Sequence, residues 1–440
     1  MSMKRLSTGL ISGAIALATA VSVAQSPSSI VSSSVSEASH AANVEHTSKL
    51  GSEVGISIQN AALAFKPVEI ARVPENWAEA GLDITKAKNV DGKLVQVLSD
   101  GSKVTFTVDP SVQERLERLL VEKKVPHSGV VLMEPQTGRI KAFVSHTQHN
   151  PPIEDFAIKS AAPSASVFKV ITAAALIEAG HDPNASVCYH GGRSFLSAEN
   201  IKGNPRKDHK CNSLGPALAW SINSIFAKLS YNHLKKADLE VWAERFGYNS
   251  PIPFELPVEV STAEFVEDPL ERARSAAGFW HTYLSPLHGA MIGGALKNDG
   301  VMMRPSIIEK YESADGTELL AFEPKVYRRV MRPETARKLG ELMVQTTTEG
   351  TARKYFRHRR GFPDHITVSG KTGTLSNKNP YLGFTWFVGY ASDSHTKKDI
   401  AVSGLVANTP IWHIKGGFAA SEAVLAYFQS EANKKGLAQR

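Results

Sequence analysis

Cysteine is nearly absent from this chain: Cys188 and Cys211 are the only two in 440 residues. So small a number excludes a disulfide-dense scaffold. No Cys/His cluster has zinc-like spacing, so no metal and no cofactor are expected. No internal repeat is found, which excludes a solenoid. Beyond residue 24 no apolar run is long enough to cross a bilayer, which excludes a multi-span protein. Charge of one sign is also scarce. The formal excess is +7, spread along the chain, and residues 353–360 are the one dense basic cluster. Nucleic-acid binding would need aromatics interleaved on a sheet, or a recognition helix, and no nucleic-acid partner is expected. Attraction to anionic polymers is compatible with the charge, and so is a merely solvated basic loop. The length is ample for a large buried core.

What the chain does have is three short motifs in a fixed order: Ser166-Val-Phe-Lys169, Ser221-Ile-Asn223 and Lys371-Thr-Gly373. The first opens a run, Ser166 to Ala179, that is apolar all round, as a buried central helix would be. A serine at a helix start is commonly only a cap. A lysine in the first turn of a buried helix is harder to dismiss, because desolvation and the helix dipole both lower its pKa. Ser166 and Lys169 share one side of that turn, so a partly neutral lysine can take the hydroxyl proton and make a nucleophile. The second motif is either an ordinary helix start capped by Ser221 or a loop presenting Ser221 and Asn223 to a cleft. The third lies in a predicted strand, His365 to Thr374. There Gly373 would let an extended peptide approach the strand edge, and Lys371 would supply positive charge. Two further strands, 381–390 and 399–406, suggest an antiparallel meander, and a final helix over 417–434 can cover it.

This ordered set resembles the transpeptidase domain of penicillin-binding proteins, acyl-serine enzymes that cross-link peptidoglycan. The resemblance extends over about residues 103–430. Val104 to Asp109 with Val112-Gln113 is similar to the entry strand and helix. Residues 129–144 resemble the first hairpin, with Pro135-Gln-Thr-Gly138 as its turn. Ser285-Pro286 to Asn298-Asp-Gly300, Arg304-Pro305 and Glu349-Gly-Thr-Ala352 match later segments. The resemblance implies an α+β fold of the penicillin-binding protein and serine β-lactamase type: an antiparallel sheet with helices on its face plus a helical subdomain, the cleft between them. It makes Ser166 the nucleophile and Lys169 its base, with Ser221 and Lys371 relaying the proton to the leaving amine. Asn223 would hold the peptide amide. Lys371, Thr372 and Thr374 would hold the terminal carboxylate beside Gly373, and the backbone N–H groups of Ser166 and Thr374 would form the oxyanion hole.

The expected activity is therefore D,D-transpeptidation of peptidoglycan stem peptides ending in D-Ala-D-Ala, with β-lactams as covalent inhibitors. A D,D-carboxypeptidase, with water as acceptor, is the nearest alternative. A class A β-lactamase would carry Glu-x-x-Leu-Asn, yet no Leu-Asn dipeptide occurs. A class D enzyme would carry Ser-x-Val and Tyr-Gly-Asn, and neither fits. A β-lactam sensor or scaffold without turnover would need a signalling span. No room remains for a glycosyltransferase domain, so a membrane-embedded glycan polymerase is an expected partner.

Residues 1–24 begin with Lys4 and Arg5, continue uncharged, and end in Ser22-Val-Ala24, which reads as a signal peptide; an uncleaved membrane anchor is the alternative. Export to the periplasm or another extracytoplasmic space follows. Residues 25–48 form a Ser-rich linker, 49–102 a small N-terminal subdomain or collar, and 103–433 the catalytic domain. In an exported chain the two cysteines, Cys188 and Cys211, are expected to form one disulfide. His146, His149 and His190 are expected on loops or the surface.

Overall fold

The computed structural model describes residues 72–148, 155–193, 195–357, 359 and 361–436. The expected signal peptide, the linker, residues 49–71, His149 and Arg360 lie outside them. All described residues belong to one compact unit.

Five antiparallel strands form the main sheet: β1 (His127–Met133), β2 (Ile140–Thr147), β3 (Ile366–Lys378), β4 (Tyr381–Asp393) and β5 (Lys398–Asn408). Their spatial order is β3-β4-β5-β1-β2, so the expected meander closes on the first hairpin and β3 is left as an edge. Successive side chains of a strand face opposite sides, and both sides here are apolar. Val130, Leu132, Phe387, Val402 and Val406 point into one cluster. Val131, Met133, Trp386, Val388, Ala401 and Leu405 point into the other.

Helices cover both faces. On the first lie α1 (Pro110–Glu122) and the C-terminal helix α6 (Gly416–Lys434). Asp109 starts α1 by accepting from the N–H groups of Ser111 and Val112, ahead of a proline at the first helical position. Val112, Leu116 and Leu120 then recur four apart and are buried. On the other face lies the helical region: α2 (Lys169–Glu178), α3 (Asn223–His233), α4 (Pro286–Lys297) and α5 (Pro333–Thr348).

The hairpin expected near residues 93–102 forms. Lys88–Val90, Lys93–Val97 and Lys103–Phe106 continue into Ile308–Glu312 and Glu318–Ala321 as a second five-stranded sheet. Lys103–Phe106 thus pairs with Ile308–Glu312, some 200 positions downstream, and residues 88–97 extend the same sheet from its other side. Among the described residues no helix is long and apolar enough to cross a membrane.

Candidate active site

The first motif does not start in the α-helix. Residues 165–168 make a 3-10 turn and α2 begins at Lys169. In a 3-10 turn the side chains of residues three apart eclipse, and Lys169 Nζ lies 2.7 Å from Ser166 Oγ. Ser166 caps nothing. The turn is entered through Ala165 at φ 49°, a left-handed conformation costly for a residue with a side chain. It is held by packing: Ser164 Oγ lies 3.1 Å from Tyr248 Oη, and Trp386 Nε1 donates to Pro163 O at 2.9 Å.

Lys169 is fully buried. Its other two partners are Asn223 Oδ1 at 2.7 Å and the carbonyl oxygen of Ala277. Both can only accept. A neutral amine has two N–H groups and one lone pair. In that form it would satisfy both carbonyls and keep its lone pair for the Ser166 hydroxyl. Burial pulls the Lys169 pKa well below the ordinary lysine value, and the charge of Lys371 lowers it further.

The second motif is a loop between a short helix, Leu214–Ala219, and α3. Ser221 does not cap α3; it sits at φ 57°, and Asn223 is the first residue of the helix. The Asn223 side chain is already engaged at both ends, since its Nδ2 donates to Arg193 O at 2.8 Å. Ser221 and Asn223 line one cavity of about 380 Å³ with Ser166, Thr372, Gly373 and Thr374.

The third motif lies on edge strand β3. Gly373 meets the protein's own Ser166 turn: a Cβ there would come within 3.2 Å of Ala165 Cβ and 3.3 Å of Ser164 O. The glycine thus serves the approach of residues 164–165 to the strand. Lys371 is fully buried, its Nζ donating to Thr372 O at 2.8 Å, and burial pushes its pKa down to about 7. No hydrogen bond joins Lys371 to Ser221 among the described residues. Thr372 Oγ1 lies 2.6 Å from Thr351 Oγ1.

Several contributors escaped the sequence reading. Ala277 gives only a backbone oxygen, which has no residue signature. Gly278 follows at φ 88°, and a Cβ there would meet Ala165 O at 2.3 Å, so the chain can pass behind the Ser166 turn only as glycine. Arg193, Trp220, Lys354 and Lys415 also line the cavity.

Cys188 and Cys211 are bonded, across a two-stranded ribbon of Val187–Tyr189 and Lys210–Asn212. His146 lies on β2, not on a loop; its Nε2–H donates to Val125 O at 3.0 Å, and burial lowers its pKa. His190 is partly buried against Asp208. Away from the cleft, His365, Asp393 and His395 bring ligand atoms within 4.8 Å of one another. The Asp393 carboxylate there already accepts from the N–H groups of His395 and Thr396 and from the Thr396 hydroxyl, which is a turn cap.

Residues 128–428 match the penicillin binding protein transpeptidase domain. The chain is 28% identical over 339 residues to the peptidoglycan D,D-transpeptidase PbpA of Mycolicibacterium smegmatis, covering 69% of this chain and 67% of that one. Its identity to PbpA of Mycobacterium tuberculosis is 29% over 342 residues, covering 70% and 68%. The crystal structure of the Mycobacterium tuberculosis PBPA superposes with TM-score 0.60 at 25% identity, over 74% of this chain and 80% of that one. Its penicillin G acyl-enzyme complex superposes with TM-score 0.59 at 26% identity, over 74% and 80%.

Proposed function

The chain belongs to the penicillin-binding protein transpeptidase family, and from that premise we propose that it is a peptidoglycan D,D-transpeptidase acting through an acyl-serine intermediate. The observation that carries the reading is the fully buried Lys169, whose amine is placed 2.7 Å from Ser166 Oγ with two carbonyl acceptors to hold its N–H groups. Ser166 Oγ attacks the carbonyl carbon of the penultimate D-Ala while Lys169 Nζ takes its proton. The C–N bond breaks, the terminal D-Ala leaves as an amine with a proton relayed through Ser221 and Lys371, and the acyl group stays on Ser166. An acceptor amine from a second stem peptide then attacks the ester and regenerates the serine. Asn223 orients the donor amide, Thr372 and Thr374 bind its carboxylate, and the Ser166 and Thr374 N–H groups stabilise the oxyanion.

A β-lactam follows the first step and stops there. The cavity lining contains no Asp or Glu, so no carboxylate there activates water against the acyl-enzyme, which supports a long-lived adduct over β-lactamase turnover. The reaction belongs outside the cytoplasm, where its polymer lies. We place it in the periplasm or at the membrane's outer face, beside a membrane-embedded glycan polymerase. In the division we propose, residues 103–433 are the catalytic domain and 72–102 a collar on it.

The test is labelled penicillin with wild type and Ser166→Ala, followed by product analysis with stem peptides. One covalent label on Ser166, lost in the variant, and cross-linked dimers are expected. Label on another serine would sink the assignment, and release of D-Ala without dimers would make the enzyme a carboxypeptidase.

A further inference from the structure

The carboxylate of a D-Ala-D-Ala donor needs a positive charge, and Lys371 is badly placed to provide it. Its side chain has no exposure, and one of its N–H groups is turned to the Thr372 carbonyl. The open cavity beside Thr372 and Thr374 carries other cations. Arg193, Lys354 and Lys415 line it together with Ser166, and no carboxylate does; of the three, the two lysines are the ones tied to the threonines.

Both lysines are tied to the two threonines through the backbone. Lys354 follows Thr351 by three residues in a 3-10 turn, and Thr351 Oγ1 is bonded to Thr372 Oγ1 at 2.6 Å. Lys415 precedes Gly416, whose N–H donates to Thr385 Oγ1 at 2.9 Å, and Thr385 is the cross-strand partner of Thr374. Each ammonium is placed over an aromatic face, Lys354 on Tyr355 and Lys415 on Trp412, both 4.9 Å from the ring centroid. Neither has an acidic partner among the described residues. Nearby basic side chains do: Arg357 pairs with Asp364 and Arg359 with Glu422. The pKa of Lys415 is lowered by partial burial and by the like charge of Lys354. Two neighbouring cations facing an acid-free cavity repel each other until an anion arrives between them.

We propose that Lys354 and Lys415 form the anion subsite that takes the terminal carboxylate of the acyl donor, with the Thr372 and Thr374 hydroxyls as its neutral partners. The proposal rests on the transpeptidase reading of the cleft. It moves the selecting charge from the buried Lys371 to two side chains outside the three motifs. Lys371 is left free to act on protons.

The test uses the full chain and matched pairs of acylating probes: benzylpenicillin and its methyl ester, and an N-acyl-D-Ala-D-Ala peptide and its C-terminal amide. Second-order acylation rates are measured for wild type, the K354M and K415M single variants, the K354M/K415M double variant and the K354R/K415R variant. The double variant is expected to lose about tenfold or more on the carboxylate probes, and about twofold or less on the ester and amide. The arginine variant should keep the discrimination. The wild-type preference for the carboxylate should shrink as salt is raised. Equal loss on charged and neutral probes, or no loss on either, overturns the subsite. Wild type that takes up no probe at Ser166 overturns the transpeptidase reading itself, and that outcome is distinct from both.

Discussion

Lys169 and Lys371 are two fully buried lysines in one site, and their charges work against each other. The consequence is readable in a pH profile. Lys169 must be neutral to accept the Ser166 proton, so acylation should rise with pH through its lowered pKa and then level off. Lys371 is one cause of that lowering, so Lys371→Met removes a positive neighbour and lets the Lys169 pKa rise. The ascending limb of penicillin acylation should therefore move to higher pH in the variant, whatever happens to the plateau. A limb that stays in place would show that the two amines are not electrostatically coupled. Backbone strain gathers at the same point. Ala165 and Ser221 are both left-handed without being glycine, beside Ser166 and at the second motif. A serine turn, a loop and a strand edge have to meet there, and the surrounding packing holds the strain.

The disulfide ribbon is the element on which Asn223 leans. Asp208 accepts from His190 and from Lys228, and Lys228 Nζ also donates to Cys188 O. The chain runs from there to Arg193, whose carbonyl holds Asn223 Nδ2. Thiol titration of the unfolded, unreduced protein should find no free thiol. Replacing both cysteines with serine opens the 23-position loop and should cost about 3 kcal/mol of stability in the chain-entropy model, read from a urea transition. Acylation should slow several-fold as well, because the segment leaving the ribbon supplies the Arg193 carbonyl that holds one end of the Asn223 amide. Stability lost at an unchanged acylation rate would mean that Asn223 is positioned without the ribbon.

At the scale of the whole molecule, the second sheet decides where the working unit starts. Trp77 meets Tyr311 edge-on at 5.1 Å between centroids, and Lys93–Val97 pairs antiparallel with Lys103–Phe106. Residues 72–102 thus pack on strands that belong to the catalytic part. A chain beginning at residue 72 should acylate with penicillin at the full-length rate. One beginning at residue 103 would leave Lys103–Phe106 as an exposed edge and strip a ring contact from Tyr311. Its urea midpoint should fall clearly, by an amount on the order of a few kcal/mol. An unchanged midpoint would make residues 72–102 a passive attachment.

Much of this protein was written locally. Apolar runs set off by turn-rich stretches marked β3, β4 and β5, and the Pro135-Gln-Thr-Gly138 turn marked the hairpin of β1 and β2, because strand propensity and turn chemistry act between near neighbours. Ser166 and Lys169 meet through a three-residue spacing, so their pairing was also legible, although the turn is 3-10 and not α-helical. The tertiary structure alone decided the rest. Lys169 finds its remaining acceptors at Asn223, 54 positions away, and at Ala277, 108 away. Gly278 is required by a carbonyl at Ala165, and Gly373 also leaves room for the same turn. Lys371 carries the expected charge in its motif, yet packing buries it and leaves Lys354 and Lys415 facing the cavity. Contacts of this kind arise when elements far apart in the chain are pressed together, and a backbone oxygen, a clearance of a few ångströms or the exposure of an amine leaves no pattern along the sequence.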